Sequence, residues 1–166
     1  MNSAETNIAD VDTILKTYSD TVYKIALVRT GSKFDADDVF QEVFIRLIKH
    51  FNKIQSAEHA KHWLIRVTIN CSLKHIKIWR DPNSTDITKL VLDVPFTPEE
   101  TGLYEALMRI PPKYRTVIHL YYYEGYSISE ISDILKTKEG TVKSLLSRGR
   151  KKLEFLLGEE FGDDFK

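Results

Sequence analysis

The sequence predicts an all-α fold: two small helical domains joined by a flexible acidic linker. Apolar residues recur at helical spacing in several blocks, and no strand-like alternation or internal repeat interrupts them. Residues 81–102 lose that periodicity and collect turn formers, Pro82, Asn83, Ser84, Thr85, Pro95 and Pro98. The expected division is a first domain over 1–80, a connector over 81–102, a second domain over 103–157 and an acidic tail over 158–166. Each domain is small enough to be only modestly stable alone.

The first expected helix runs from about Val11 to Thr30, with Leu15, Tyr18, Val22, Ile25 and Ala26 on one stripe and Gly31 as its stop. The second runs from Asp35 to about Lys53. Its acids stand in the first turn and Lys49 and Lys53 in the last, as the helix dipole prefers. Val39, Val43, Leu47 and Phe51 align with Phe40, Phe44 and Ile48 into a band wider than a lone surface helix needs, so part of it is expected to meet a partner. After a polar turn over 52–58, a third helix is expected from about His59 to Trp79, with Arg66, Asn70, Lys74, Lys77 and Arg80 on its polar side. Cys71, alone in the chain, falls in the apolar pattern WLIRVTINCSL and is expected as a small buried hydrophobe.

The stretch Gly125–Leu153 reads as two short helices meeting at a tight turn. Ser127 followed by Glu130 is a capping box, Gly125 can end the preceding helix in the left-handed conformation, and Ile128, Ile131, Ile134 and Leu135 supply a buried stripe. The second helix begins around 137–139 and carries two incompatible faces. Val142, Leu145, Leu146, Gly149 and Leu153 lie along one stripe, where the glycine lets another helix approach closely. Lys143, Ser144, Ser147, Arg148 and Lys151 gather on the other, with no carboxylate between Thr141 and Leu153. That face suits a polyanion, and the pair suits the DNA major groove. An antiparallel hairpin with a solvated basic face is the plainer alternative. Tyr121, Tyr122 and Tyr123, just upstream, are expected mostly to pack.

Composition narrows the function classes. No run reaches transmembrane length and the N-terminus lacks an apolar signal segment, so no membrane insertion and a cytoplasmic location are expected. The net charge is zero, yet residues 21–80 carry eleven bases against five acids and residues 103–153 ten against five, with an acidic connector between. Two basic bodies point to nucleic acid. His59 and His62 do not complete the four-ligand set of structural zinc, and nothing supplies a nucleophile beside Asp35, Asp37, Asp38 and Glu42. Neither a catalytic nor a metal site is expected, and no cofactor.

The blocks DADDVFQEVFIRL, HWLIRVTINCSLKHIK and LYEALMRIPPKYRTVIHLYYYEGYSISEISDILKTKEGTVKSLLSRGRKKL, in that order and at those separations, resemble the extracytoplasmic-function (ECF) group of bacterial sigma-70-type initiation factors. The resemblance covers nearly the whole chain. It implies a sigma2-like bundle that opens the minus-ten element, a sigma4-like helix-turn-helix that reads the minus-thirty-five element, and a connector threading through RNA polymerase. Expected partners are core RNA polymerase, promoter DNA and an anti-sigma protein able to hold the chain at the membrane, with no small-molecule substrate. By the same resemblance Asp38, Gln41, Glu42, Phe44 and Ile48 dock on the polymerase clamp coiled coil. For the minus-ten element, Phe51, Lys61, Trp63, Arg66, Asn70 and Lys74 combine stacking surfaces with cations, although Trp63 equally fits a core. For the minus-thirty-five element the candidates are Thr141, Lys143, Ser144, Ser147, Arg148 and Lys151. Two departures stand out: Leu145 where many relatives carry arginine, and Lys136 where a glycine is often found at the turn.

Two other functions fit parts of the sequence. A stand-alone helix-turn-helix regulator would dimerise on an operator and use the first domain as a sensor. A metal-dependent hydrolase would use the acids of the second helix.

Overall fold

The computed structural model describes residues 10–76 and 98–160, the side chains of 98–101 and 159–160 excepted. Within them the chain forms seven α-helices and no strand: α1 (Val11–Thr30), α2 (Lys33–His50), α3 (Ala57–Ser72), α4 (Pro98–Met108), α5 (Pro112–Ile118), α6 (Ile128–Leu135) and α7 (Glu139–Glu160). Short 3-10 turns follow α2 and α3, and a π-helical turn, His119–Tyr123, follows α5.

Local chemistry sets the helix ends. The Asp10 carboxylate accepts from the backbone of Thr13 to open α1, and Gly31, at φ 66°, closes it by donating to Leu27 O. Helix α2 begins two residues earlier than its acids suggest, because the Ser32 hydroxyl caps it by accepting from Asp35 N. It passes into the 3-10 turn at Phe51. Ser56 caps α3, which starts at Ala57 rather than His59 and leaves α geometry at Ser72, well short of the expected Trp79. The Ser72 hydroxyl bonds back to Ile69 O and accepts from Arg29 Nε, so a tertiary contact meets the chain there. Lys77, Trp79, Arg80 and most of the expected connector lie outside the described residues. The last residues assigned to that connector, from Pro98 on, are helical, and α7 carries the chain two residues into the expected tail.

The helix-turn-helix carries the predicted capping box: Ser127 Oγ accepts from Glu130 N, and Glu130 Oε2 accepts from Ser127 N. Those bonds hold the Glu130 carboxyl below its usual range, the backbone bond most of all. The box therefore contributes fully above that range and is lost as pH falls through Glu130's depressed value. Ser127→Ala is expected to cost about 1 kcal/mol in urea melts at neutral pH, and less in acid. Lys136 occupies the turn at φ 53°, the conformation in which glycine costs least, and α7 still starts at Glu139. The departure from glycine is thus absorbed as local strain, not as a shifted helix.

Helices α1, α2 and α3 pack on one another around Val22, Ile25, Leu27, Val39, Val43, Leu47, Leu64 and Ile65, all at most 2% exposed. Helix α7 lies across α5 and α6 on Val142, Leu146 and Leu153, and Gly149 sits against Tyr114 and Ile118 of α5. The N-terminal and C-terminal helices also pack together, α1 against α5 and α3 against α6. Arg115 of α5 crosses to α1. Its Nε donates to Val28 O, and its Nη1 faces Met108 O and Ile110 O at the end of α4. A buried cation is here solvated by the negative ends of two helices.

Candidate nucleic-acid and polymerase interface

The six residues expected at the minus-thirty-five element, Thr141, Lys143, Ser144, Ser147, Arg148 and Lys151, are all exposed along α7, opposite the stripe that buries Val142, Leu146 and Leu153. Leu145 lies half buried against the core, so it has left the set of groups free to meet a base. The face holds several unobstructed cations on a rigid helix. That arrangement can neutralise phosphates and present hydrogen-bond donors to base edges.

The preceding tyrosines depart from expectation. Tyr123 is half buried, stacked on His119 at 5.5 Å, but Tyr121 and Tyr122 are exposed and meet edge to face at 4.9 Å. The π-helical turn is the cause, since its wider winding carries the two rings off the buried stripe.

On α2 the residues expected to dock divide. Gln41 and Ile48 are exposed, as is Asp38, but Phe44 is only 6% exposed and packs on Phe40 at 4.7 Å. Phe44 is therefore a core residue in this structure. The band was wide because it served two purposes, and periodicity alone did not separate them. Its outer part is an apolar stripe, Phe34, Ile45 and Ile48, which shares one face of α2 with Gln41. The amphipathic pattern pointed to Ile48 but passed over Phe34 and Ile45. Exposed apolar side chains aligned in this way mark a docking surface.

Glu42 joins the two expected surfaces. Its carboxylate takes Lys74 Nζ at 2.6 Å and Arg46 Nη2 at 2.8 Å, and the bond from Lys74, more than any other influence, holds it below the ordinary carboxylate range. The ion pair is therefore present above that range and is lost as pH falls through the depressed value. Lys74→Met is expected to move the Glu42 titration back up, read from its carboxyl carbon by NMR.

The minus-ten candidates lie mainly along α3. Arg66 and Asn70 are exposed, while Trp63 and Phe51 are half buried against the core, with Trp63 6.1 Å from His50. Lys61 is not free: it pairs with Glu124 at 3.7 Å and lies over the Tyr126 ring at 5.6 Å. His59 serves its own helix, its Nδ1 accepting from Gln55 N. Cys71 is buried as expected, and burial pushes its thiol up. Asp35, Asp38 and His75 bring ligand atoms within 4.8 Å of one another, a grouping that spacing did not reveal because His75 comes from beyond α3.

The described surfaces define a class: a helical body with a docking stripe, joined to a helix-turn-helix with an open basic face. Family comparisons agree. Residues 14–80 match the model of sigma-70 region 2, and residues 101–153 that of sigma-70 region 4. The chain is 31% identical over 160 residues to the ECF RNA polymerase sigma factor SigE of Mycolicibacterium smegmatis, covering 89% of this chain but 62% of that relative. It is 29% identical to the ECF RNA polymerase sigma factor SigM of Bacillus subtilis, covering 93% of this chain and 99% of the relative. The fold matches that of the sigma factor RpoE of Bartonella quintana, solved in complex with the anti-sigma factor NepR, at TM-score 0.67 and 20% identity over 89% of this chain and 96% of the other. The chain belongs to the ECF group of the sigma-70 family of RNA polymerase sigma factors.

Proposed function

We propose that this sigma factor directs core RNA polymerase to its promoters by division of labour: the α1–α3 body engages the polymerase and the minus-ten element, and the α4–α7 body reads the minus-thirty-five element. The observation that carries the reading is the pairing of an exposed apolar stripe on α2 with an acid-free exposed face on α7, one suited to protein and the other to DNA. Gln41 and Ile48, with Asp38 and Glu42 beside them, form the polymerase contact, extended by Phe34 and Ile45. Arg66, Asn70, Lys61 and Lys74 serve the minus-ten strand, with Trp63 and Phe51 behind them. The chain carries no chemistry of its own in this role. It lowers the cost of the polymerase's first steps by binding. As with RpoE in its complex, an anti-sigma protein is the natural antagonist of these surfaces.

Co-purification with core polymerase, followed by run-off transcription from genomic promoters, tests the reading; a chain that fails to bind core polymerase without any inhibitor present sinks it. Tight, specific duplex binding by the free chain would instead favour the stand-alone regulator. Arg148→Ala is expected to weaken promoter recognition by about 1 to 3 kcal/mol if it pairs with a base, measured as the ratio of binding to matched and altered minus-thirty-five sequences. Equal weakening on all sequences would assign it to phosphate.

A further inference from the structure

The seam between the two bodies is built from groups that neither body needs for its own fold. Arg29, in α1, is 8% exposed, and its Nε and Nη1 reach only hydroxyls, Ser72 Oγ at 3.1 Å and Thr116 Oγ1 at 3.4 Å. Thr116 belongs to α5, so this contact crosses the seam, as does the bond from Arg115 to Val28 O. Gly31 leaves just enough room for Arg115, since a Cβ there would stand 2.8 Å from its Nη2. Among the described residues no carboxylate pairs with either guanidinium. Two buried like charges held only by neutral acceptors make a seam that is well fitted but poorly compensated. At its rim Lys61 pairs with Glu124, and His62 lies 5.1 Å from the Tyr126 ring. The Tyr126 hydroxyl is buried there without a partner.

The seam also has a geometric consequence for the proposed function, on which this inference rests. Positions minus ten and minus thirty-five lie about 25 base pairs apart, roughly 85 Å of duplex at 3.4 Å per step. A compact chain of this length has a radius of gyration of about 15 Å. The two bodies cannot remain packed and read both elements.

We infer that the packed arrangement is a self-closed state of the free sigma factor, latched by the Arg29–Thr116 and Arg115–Val28 contacts, in which Lys61 is held by Glu124 instead of by DNA. Core polymerase then releases the latch by binding the separated bodies more tightly. Apparent affinity for single-stranded DNA in the free chain is reduced by the fraction that is open.

Thr116 allows a test by opposite signs at one position. Thr116→Glu supplies the carboxylate that Arg29 lacks and is expected to tighten the closed state; Thr116→Arg adds a further cation and is expected to open it. Both lose the same hydroxyl bond to Pro112 O, so damage internal to α5 is shared. Dyes at Asp20→Cys and Glu154→Cys, on exposed positions of α1 and α7 in a Cys71→Ser background, report separation by energy transfer. A labelled, mixed-sequence single-stranded oligonucleotide reports DNA access, and circular dichroism melts confirm folding.

The expected result is that the Thr116→Glu chain resists opening by core polymerase, whereas the Thr116→Arg chain loses energy transfer without polymerase and binds the oligonucleotide about tenfold more tightly. Glu124→Lys, which faces Lys61 at the rim, should act like Thr116→Arg without touching the buried seam. The inference is overturned if folded variants keep the parent's energy transfer and DNA affinity, if both Thr116 variants shift the same way, or if the parent itself is open. Opposite shifts in a chain that never binds core polymerase would keep the latch and sink the sigma-factor reading. Polymerase binding with no shifts would do the reverse.

Discussion

Replacing Gly149 with leucine is expected to destabilise the C-terminal helices by about 3 kcal/mol and to abolish promoter recognition while leaving the N-terminal helices folded. The reason is the distance between α7 and α5. Even an alanine Cβ at position 149 would stand 2.6 Å from Ile118 Cδ1 and 3.3 Å from Tyr114 Cβ, and neither neighbour can retreat. Ile118 is 1% exposed and Tyr114 is 8%, so both are already enclosed. A side chain at 149 must lift α7 off its bed, and the lift also tilts Arg148 and Ser147, its neighbours on the basic face. Glycine carries a helix-propensity cost of about 1 kcal/mol relative to alanine, so a gain in stability from Gly149→Ala would refute the close approach. Urea melts followed by tyrosine fluorescence, together with duplex binding, check both halves of the expectation.

Arg115→Ala should cost about 3 kcal/mol, and Arg115→Met nearly as much. Burial pushes the guanidinium down to about 10, with Arg29 nearby adding to the effect, yet it remains charged at neutral pH. What it provides is not an ion pair but donors for three carbonyls at the ends of two helices, Val28, Met108 and Ile110. Methionine fills the volume and leaves those oxygens unmet, so restoring bulk does not restore stability. Lysine retains the charge but lacks the planar fork, and is expected to recover only part of the loss. A methionine variant as stable as the parent would show that the carbonyls find other donors.

These two residues differ in how far the sequence announced them. Gly149 interrupts an apolar stripe, which is visible in one dimension and has one economical reading. Arg115 is a cation between apolar neighbours, and nothing local says that its acceptors come from α1, some 87 residues away. The same division holds elsewhere. The bounds of α1 and the capping box were legible because their signals are local: Asp10, Gly31, Ser127 and Glu130 act within four residues. The end of α3 was not, because Ser72 is claimed by Arg29 from another helix. The α7 face was legible in full, since an exposed basic side needs only the helical period. On α2 the docking candidates were half legible. A broad apolar band shows that two surfaces are being covered, but only packing reveals that Phe44 goes inward and Phe34 outward.

The π-helical turn at His119–Tyr123 sets an angular phase for everything beyond it. It holds one residue more than an α-helical path would, and each helical residue is worth about 100° of rotation and 1.5 Å of advance. Deleting a single residue there would leave every side chain of α6 and α7 intact yet turn the reader like a key cut one notch out of register. Such a deletion would trade the exposed Tyr121 and Tyr122 for buried positions and point the cations of α7 along a different bearing. The protein's choice of DNA thus depends on an angle set upstream of the helix that does the reading.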